Sequence, residues 1–131
     1  MNKDLQKLVK DPFLNWLLVI ACATVIFTYS SMTVPELKQG EISSKAVCIP
    51  DWAMHFAEYF IFGILLYRAL HVSGFKKAAL LAITIAFAYA ISDEIHQFFV
   101  PGRIFSIKDI ISDSLGVITA QIVSLKKLFL K

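Results

Sequence analysis

Charged residues are scarce in this sequence: they make up 18% of its 131 positions, whereas hydrophobic residues make up 57%. The mean hydropathy is +0.67. A soluble domain of this size could not bury so much apolar surface, so the composition predicts an integral membrane protein. The chain has no internal repeat, no low-complexity tract and no separate soluble region, and its length corresponds to one domain.

Three other absences narrow the class of protein. A disulfide is not expected, because Cys22 falls within an apolar run and Cys48 falls in a polar loop, at different depths. The formal charge of +3 indicates no nucleic-acid partner, because the basic residues lie at the ends of apolar runs. The first apolar run lacks a small-residue cleavage site, so we expect a retained helix rather than a removed signal peptide.

Four apolar runs dominate the chain, and each is long enough to cross a bilayer as a helix. Asp11-Pro12 is typical of a helix start, Pro35 ends the first run, and Pro101-Gly102 separates the last two. The sequence therefore predicts an all-α integral membrane protein, an antiparallel bundle of four transmembrane helices forming a single domain over residues 1–131. The predicted helices lie near residues 12–34, 51–71, 77–100 and 107–127. The structure of the loop at 36–50 stays open.

The basic residues are unevenly distributed between the two sides of this bundle. Nine of the 13 lie in the head, the middle turn and the tail, and the other four lie in or beside the first and third connections. The positive-inside rule then predicts a multi-pass protein with both termini in the cytoplasm. The polar ends of the second, third and fourth helices consequently meet on the outer side.

Polar and ionisable residues concentrate at these outer ends, where charge is costly unless it is paired or used. We interpret them as a binding site. We expect His55 and Glu58 to face Asp93 or His96, with Arg103 folded back toward Asp93, Glu94 or Asp109. The candidate binding residues are Asp51, His55, Glu58, Tyr59, Asp93, Glu94, His96, Gln97, Arg103, Ser106, Asp109 and Asp113.

Several chemistries fit this set of side chains. Five residues supply nitrogen and oxygen groups for acid–base catalysis or for zinc, manganese or iron: His55, Glu58, Asp93, Glu94 and His96. No H-E-x-x-H motif and no clear nucleophile is present, so the sequence requires no cofactor, and a divalent metal stays open. Arg103, after Pro-Gly, offers a planar fork for a phosphate or carboxylate, or a salt bridge to a neighbouring acid.

Two motifs in these regions resemble those of the VanZ-like membrane proteins. The first is D-x-x-x-H-x-x-E-Y, beginning at Asp51. The second is D-E-x-H-Q-x-F-x-P-G-R-x-x-S-x-x-D-x-x-x-D-x-x-G, beginning at Asp93. Family members often carry Lys where this chain has Trp52, and Asn where it has Asp113. The resemblance implies a bacterial-type cell membrane and a cell-envelope role, since the family is named for a protein that raises teicoplanin resistance, an antibiotic-resistance trait.

Three classes of function follow from the residues and the resemblance. The first is a binding or accessory protein that engages membrane lipid, a lipid-linked wall precursor or a lipophilic glycopeptide. The second is a small intramembrane enzyme, metal-dependent or acid–base, acting on a lipid-linked or acyl substrate. The third is a structural four-helix protein whose polar cluster sets helix register. We favour the first, because the chain lacks a recognisable nucleophile or metal motif; whether it is an enzyme stays open.

Overall fold

The fold is a helical bundle. The computed structural model describes residues 9–32 and 50–129, and within these ranges the chain forms four α-helices and no strands. The predicted all-α fold is confirmed. The predicted loop at 36–50 lies, except for Pro50, outside the described residues. The helices are α1 (Pro12–Ser30), α2 (Asp51–Val72), α3 (Ala78–Phe98) and α4 (Ile107–Phe129).

The helix lengths and surfaces suit a membrane. Of the described helices, α1, α2 and α3 are long and apolar enough to cross one. Their outward-facing side chains include Ile20, Ile61 and Leu80, each more than half exposed. Soluble proteins rarely expose contiguous apolar surface on this scale, whereas lipid tails cover it at no cost.

Helix α4 is amphipathic. It has 23 residues, about 34 Å of helix, but it carries acids and an amide along one side. Asp113 and Gln121 on that side are buried against the bundle, whereas Leu115 and Ile122 on the other side are about half exposed. The apolar side is suited to lipid, and passage of α4 through the membrane stays a prediction.

Helix α2 is the centre of the bundle. It contacts each of the other three helices, most extensively α4. Among the described residues, α1 and α4 make no contact with each other, because they pack on opposite sides of α2 and α3. The indole N–H of Trp16 near the start of α1 donates to the hydroxyl of Ser73 at the end of α2, at 3.1 Å. This contact fixes one end of the antiparallel α1–α2 pair.

The α2–α4 contact brings two backbones unusually close. A Cβ added to Gly116 would overlap the carbonyl oxygen of Phe56, and a Cβ added to Gly63 would lie 3.0 Å from the Cβ of Ala120. The amide of Gln121 donates to the carbonyl of Gly63 at 3.1 Å. Gly116 and Ala120, two small residues four positions apart, therefore let α4 pack closely against α2.

Helix α3 presents a stripe of small buried residues to its neighbours. The stripe consists of Ala78, Ala82, Ala86 and Ala90, all at most 4% exposed. Near the end of α3 the same face continues as Asp93, Glu94 and Gln97, which are also buried. The hydroxyl of Tyr89 donates to the carbonyl of Ala23 at 2.7 Å and ties α3 to α1. The polar residues of α3 are thus carried into the bundle at one end only.

Candidate functional site

The polar residues of the four helices converge at one end of the bundle. This is the end where α1 and α3 finish and α2 and α4 begin, as alternating helix directions require. Seven of the nine buried polar residues in the described ranges lie there; the other two are Asn15, near the start of α1, and Gln121, in the second half of α4. Those at this end are Ser30, His55, Asp93, Glu94, Gln97, Ser112 and Asp113.

His55 connects α2 to α4. Its Nδ1 lies 3.1 Å from Oδ1 of Asp113, and its Nε2 lies 3.9 Å from Oδ2 of Asp109. The two acids are four residues apart, so they occupy successive turns of the same face of α4. Within the described residues, the contacts of His55 with Asp109 and Asp113 are the only pairs of basic and acidic side chains closer than 4.0 Å. His55 is therefore partnered by α4, and not by Asp93 or His96 of α3 as predicted from the sequence.

Glu94 closes the cluster from α3. Its side chain is 1% exposed, and its Oε2 accepts a hydrogen bond from the backbone N–H of Ser106 at 2.8 Å. The hydroxyl of Ser106 in turn accepts from the N–H of Asp109 at 3.3 Å, at the start of α4. One ligand atom each from His55, Glu94 and Asp109 lies within 4.8 Å of the others. We call these three residues the acid–histidine cluster.

A small polar cavity lies on the other side of His55. Its volume is about 20 Å³, room for about one water molecule. Three acids, one arginine and one histidine contribute to its wall. The residues that line it are Tyr29, Ser30, Asp51, Met54, His55, Glu58, Asp93, Gln97 and Arg103. The cavity thus draws on α1, α2, α3 and the α3–α4 connection.

Asp93 is the deepest acid of the cavity. It is 5% exposed, and its Oδ2 accepts from the amide of Gln97, one turn further along α3, at 3.1 Å. Its Oδ1 is buried and accepts no hydrogen bond within the described structure. A buried carboxylate oxygen without a donor is costly, so this atom is available to a donor on a ligand or a water.

Arg103 lies over α1 and not beside an acid. Its Nη2 donates to the carbonyl of Tyr29 at 3.4 Å, and its guanidinium carbon lies 5.8 Å from the centre of the Tyr29 ring. The last carbonyls of a helix have no partner within the helix, so a cation is favourable there. The predicted salt bridge to Asp93, Glu94 or Asp109 is not formed among the described residues, although Arg103 and Asp93 line the same cavity.

His96 faces α1 instead of His55. Its Nε2 lies 3.0 Å from the hydroxyl of Ser31, and its ring centre lies 4.6 Å from that of Phe27. At about 100° per residue, His96 is rotated about 100° from Gln97 on the helix, toward the α1 side. That rotation separates it from the cavity and from the acid–histidine cluster.

The other predicted residues frame the site. Asp51 is exposed at the cavity rim. Tyr59 is fully buried beneath the cavity, and its ring lies 6.0 Å from Phe62 and 6.3 Å from Tyr89. Its hydroxyl has no hydrogen-bond partner among the described residues.

Two buried serines at this end, Ser30 and Ser112, were not among the predicted site residues. The hydroxyl of Ser112 donates to the carbonyl of Trp52 at 2.8 Å and ties the first turn of α2 to α4. Ser30, 2% exposed, lines the cavity from α1. In the sequence, Ser112 is marked only by its position directly before Asp113. For Ser30 the sequence offers no indication of a site beyond its position near the end of the first helix.

This arrangement defines a class of protein: a small multi-pass helical membrane protein with a polar cavity and an adjoining acid–histidine cluster at one end. The chain belongs to the VanZ/LLP1 family, whose model matches residues 13–129. The match spans all four helices and confirms the resemblance drawn from the two motifs. No curated protein and no solved structure matches the chain.

Proposed function

We propose that this protein binds the head group of a membrane-embedded amphiphile at the outer face of the cell membrane, in a role at the cell envelope. The ligand class is a lipid-linked wall precursor or a lipophilic glycopeptide, in keeping with the VanZ name of the family. The observation that carries the proposal is the polar cavity, in which Asp51, Glu58 and Asp93 meet one arginine, Arg103.

The charge of the cavity favours a ligand group that donates hydrogen bonds. Three carboxylates outnumber the single guanidinium, and Oδ1 of Asp93 is buried without a donor among the described residues. An ammonium or amide group supplies donors that carboxylates accept strongly. A cavity of about 20 Å³ admits one such terminal group, while the rest of the head group lies over the exposed rim at Asp51.

The membrane setting supports an amphiphilic ligand. The basic-residue distribution predicts that this end of the bundle lies on the outer side. Apolar side chains surround the site: Phe98 and Phe99 at the end of α3 are 65% and 75% exposed, and Ile104 in the connection is 84% exposed. Acyl or isoprenoid chains can pack on these residues while the head group reaches the cavity.

The test is binding by the purified full chain in lipid nanodiscs. Labelled lipid-linked wall precursor and labelled lipoglycopeptide are titrated separately, with plain phosphatidylglycerol as the background lipid. Asp93→Asn and Glu58→Gln should each weaken binding about 10-fold or more, because a hydrogen bond to a charged group contributes roughly 1.5–3 kcal/mol. Lys76→Gln, exposed at the opposite end, is the matched control and should bind like the parent chain. Unchanged affinity in both acid variants would reject the proposal.

An intramembrane enzyme is the second candidate. The observation favouring it is the His55–Asp113 pair, in which a buried carboxylate orients an imidazole beside two further acids. The purified chain is assayed for turnover of lipid-linked and acyl substrates, with His55→Ala expected to abolish it and His71→Ala, at the far end of α2, to retain it. Loss of thermal stability without any loss of binding or turnover per folded molecule would support a structural role.

A further inference from the structure

We propose that the acid–histidine cluster, His55, Glu94 and Asp109, is a binding site for one divalent metal ion of the zinc or manganese type. This ligand set keeps His55 and Glu94 from the predicted candidates, adds Asp109 in place of Glu58, Asp93 and His96, and takes one residue from each of α2, α3 and α4. The inference goes beyond the proposed head-group binding and does not depend on it.

The spacing of the three side chains suits a shared ion. One ligand atom from each lies within 4.8 Å of the others, and Nε2 of His55 is 3.9 Å from Oδ2 of Asp109. That separation is too long for a hydrogen bond. Two ligands bound about 2.0–2.2 Å from one ion lie roughly 3–4 Å apart, so the gap is of the size that a metal fills.

Asp113 supplies the support that metal-bound histidines require. Its Oδ1 lies 3.1 Å from Nδ1 of His55, and its side chain is 1% exposed. A carboxylate that accepts the Nδ1 proton leaves the Nε2 lone pair free, and Nε2 is the atom that points toward Asp109. The carboxylate–histidine–metal arrangement is therefore complete except for the ion itself.

Unpartnered buried oxygens point independently to a cation. Oε1 of Glu94 and Oδ2 of Asp113 are both buried and accept no hydrogen bond from the described residues. Glu94 is 1% exposed, so bulk solvent does not satisfy it. Buried oxygens left in this way are costly, and a coordinated ion or its bound water supplies the missing partner.

The charges around the cluster are unbalanced without a cation. Three carboxylates, those of Glu94, Asp109 and Asp113, surround one imidazole, and no lysine or arginine in the described ranges lies within 4.0 Å of them. A protonated His55 would offset one negative charge. A dication beside neutral His55 offsets two, which is the larger gain in a site of low dielectric.

The composition of the site indicates the class of ion. One imidazole nitrogen with two carboxylate oxygens suits zinc or manganese better than calcium or magnesium, which take oxygen ligands. The side chain of Asp109 is 19% exposed and that of His55 is 11% exposed, so the ion has a path from the outer face. Three protein ligands leave coordination positions for water or a ligand group.

The experiment measures metal binding by the purified full chain in detergent. The protein is stripped with a chelator, dialysed and titrated separately with Zn²⁺ and Mn²⁺, with bound metal counted by mass spectrometry. We expect one ion per chain for at least one of the two metals. His55→Ala, Glu94→Gln and Asp109→Asn should each weaken binding by about 100-fold, and Asp113→Asn by roughly 10–100-fold through loss of the support to His55.

Matched variants separate a metal site from a structural cluster. His96→Ala and Asp93→Asn remove the same side-chain types nearby, outside the cluster, and should leave metal affinity within about 3-fold, a difference below 1 kcal/mol. Bound metal should also raise the melting temperature of the parent chain but not of Asp109→Asn, whose partly exposed position makes it the variant most able to fold.

The proposal would be overturned if neither Zn²⁺ nor Mn²⁺ bound saturably to the parent chain. Unchanged metal affinity in folded Asp109→Asn would overturn it as well. Absence of head-group binding by a parent chain that binds the metal would reject the proposed function alone.

Discussion

Substitution of Gly116 by alanine tests whether the close α2–α4 contact holds the site together. The added methyl group would overlap the carbonyl oxygen of Phe56 and lie 3.0 Å from the backbone nitrogen of Phe60. Both colliding atoms belong to the backbone of α2, so no side-chain rotation relieves the overlap. Helix α4 must move away from α2, and Asp113, one turn before Gly116, must move with it.

The size of the effect follows from two opposing terms. Overpacking costs typically 1–3 kcal/mol, and a backbone collision belongs at about 3 kcal/mol. Alanine is favoured over glycine within a helix by about 1 kcal/mol, which offsets part of that cost. The net loss of stability is about 2 kcal/mol. For a chain of 131 residues, this lowers the melting temperature by roughly 6–10 °C.

The assay is thermal unfolding in detergent, followed by the fluorescence of Trp16 and Trp52. Leu115→Ala is the matched control, because Leu115 is next to Gly116 in the chain but is 53% exposed and faces away from α2. This substitution should leave the melting temperature nearly unchanged. Gly63→Ala should show a smaller loss than Gly116→Ala, because its nearest atom is the Cβ of Ala120 at 3.0 Å.

A double variant tests whether Gly116→Ala collides with the main chain of Phe56 or with its side chain. Phe56→Ala combined with Gly116→Ala should give no rescue, because the colliding atom at position 56 is the main-chain oxygen. A melting temperature for Gly116→Ala within about 1 °C of the parent chain would refute the close approach of the two backbones.

Three other predictions address orientation, the buried pair and the α1–α3 tie. In a cysteine-free background, Phe105→Cys should react with an impermeant thiol reagent from outside and Ser73→Cys only after permeabilisation; the reverse would refute the predicted topology. His55→Ala should destabilise the protein by about 3 kcal/mol by leaving Asp113 buried without its partner, whereas replacing both residues by leucine should recover most of the loss in thermal unfolding. Tyr89→Phe should cost about 1 kcal/mol, measured the same way, through loss of its hydrogen bond to α1; no change would show that this bond does not stabilise the bundle.

The helices themselves were predictable because their determinants are local. Run length and hydropathy specify where a segment can cross a bilayer, and Pro12 and Pro101 mark a helix start and a helix break without reference to any neighbour. Helical periodicity likewise places His55 with Glu58, and Asp109 with Asp113, on shared faces. The small-xxx-small spacing of Gly116 and Ala120 is typical of close helix packing, but it does not identify the partner helix.

The partners of the site residues were not predictable in the same way. His55 pairs with α4 and not α3, because the glycine at 116 lets the start of α4 approach α2 closely. His96 turns to α1 through a rotation of one residue along α3. Arg103 reaches the carbonyl of Tyr29, which also accepts from the backbone N–H of Met32, because the connection turns back over α1 after Gly102, whose φ is +83°.

The sequence alone therefore determined the class of protein, the number of helices and the end of the bundle at which polar groups gather. Those properties depend on hydrophobic length and on periodicity along one chain segment. Tertiary structure alone decided that the gathered groups divide into a cavity beside Asp93 and a cluster around His55. The division depends on interhelical distance and rotation, which change by a few ångströms or tens of degrees with single small residues, and no local pattern encodes distances on that scale.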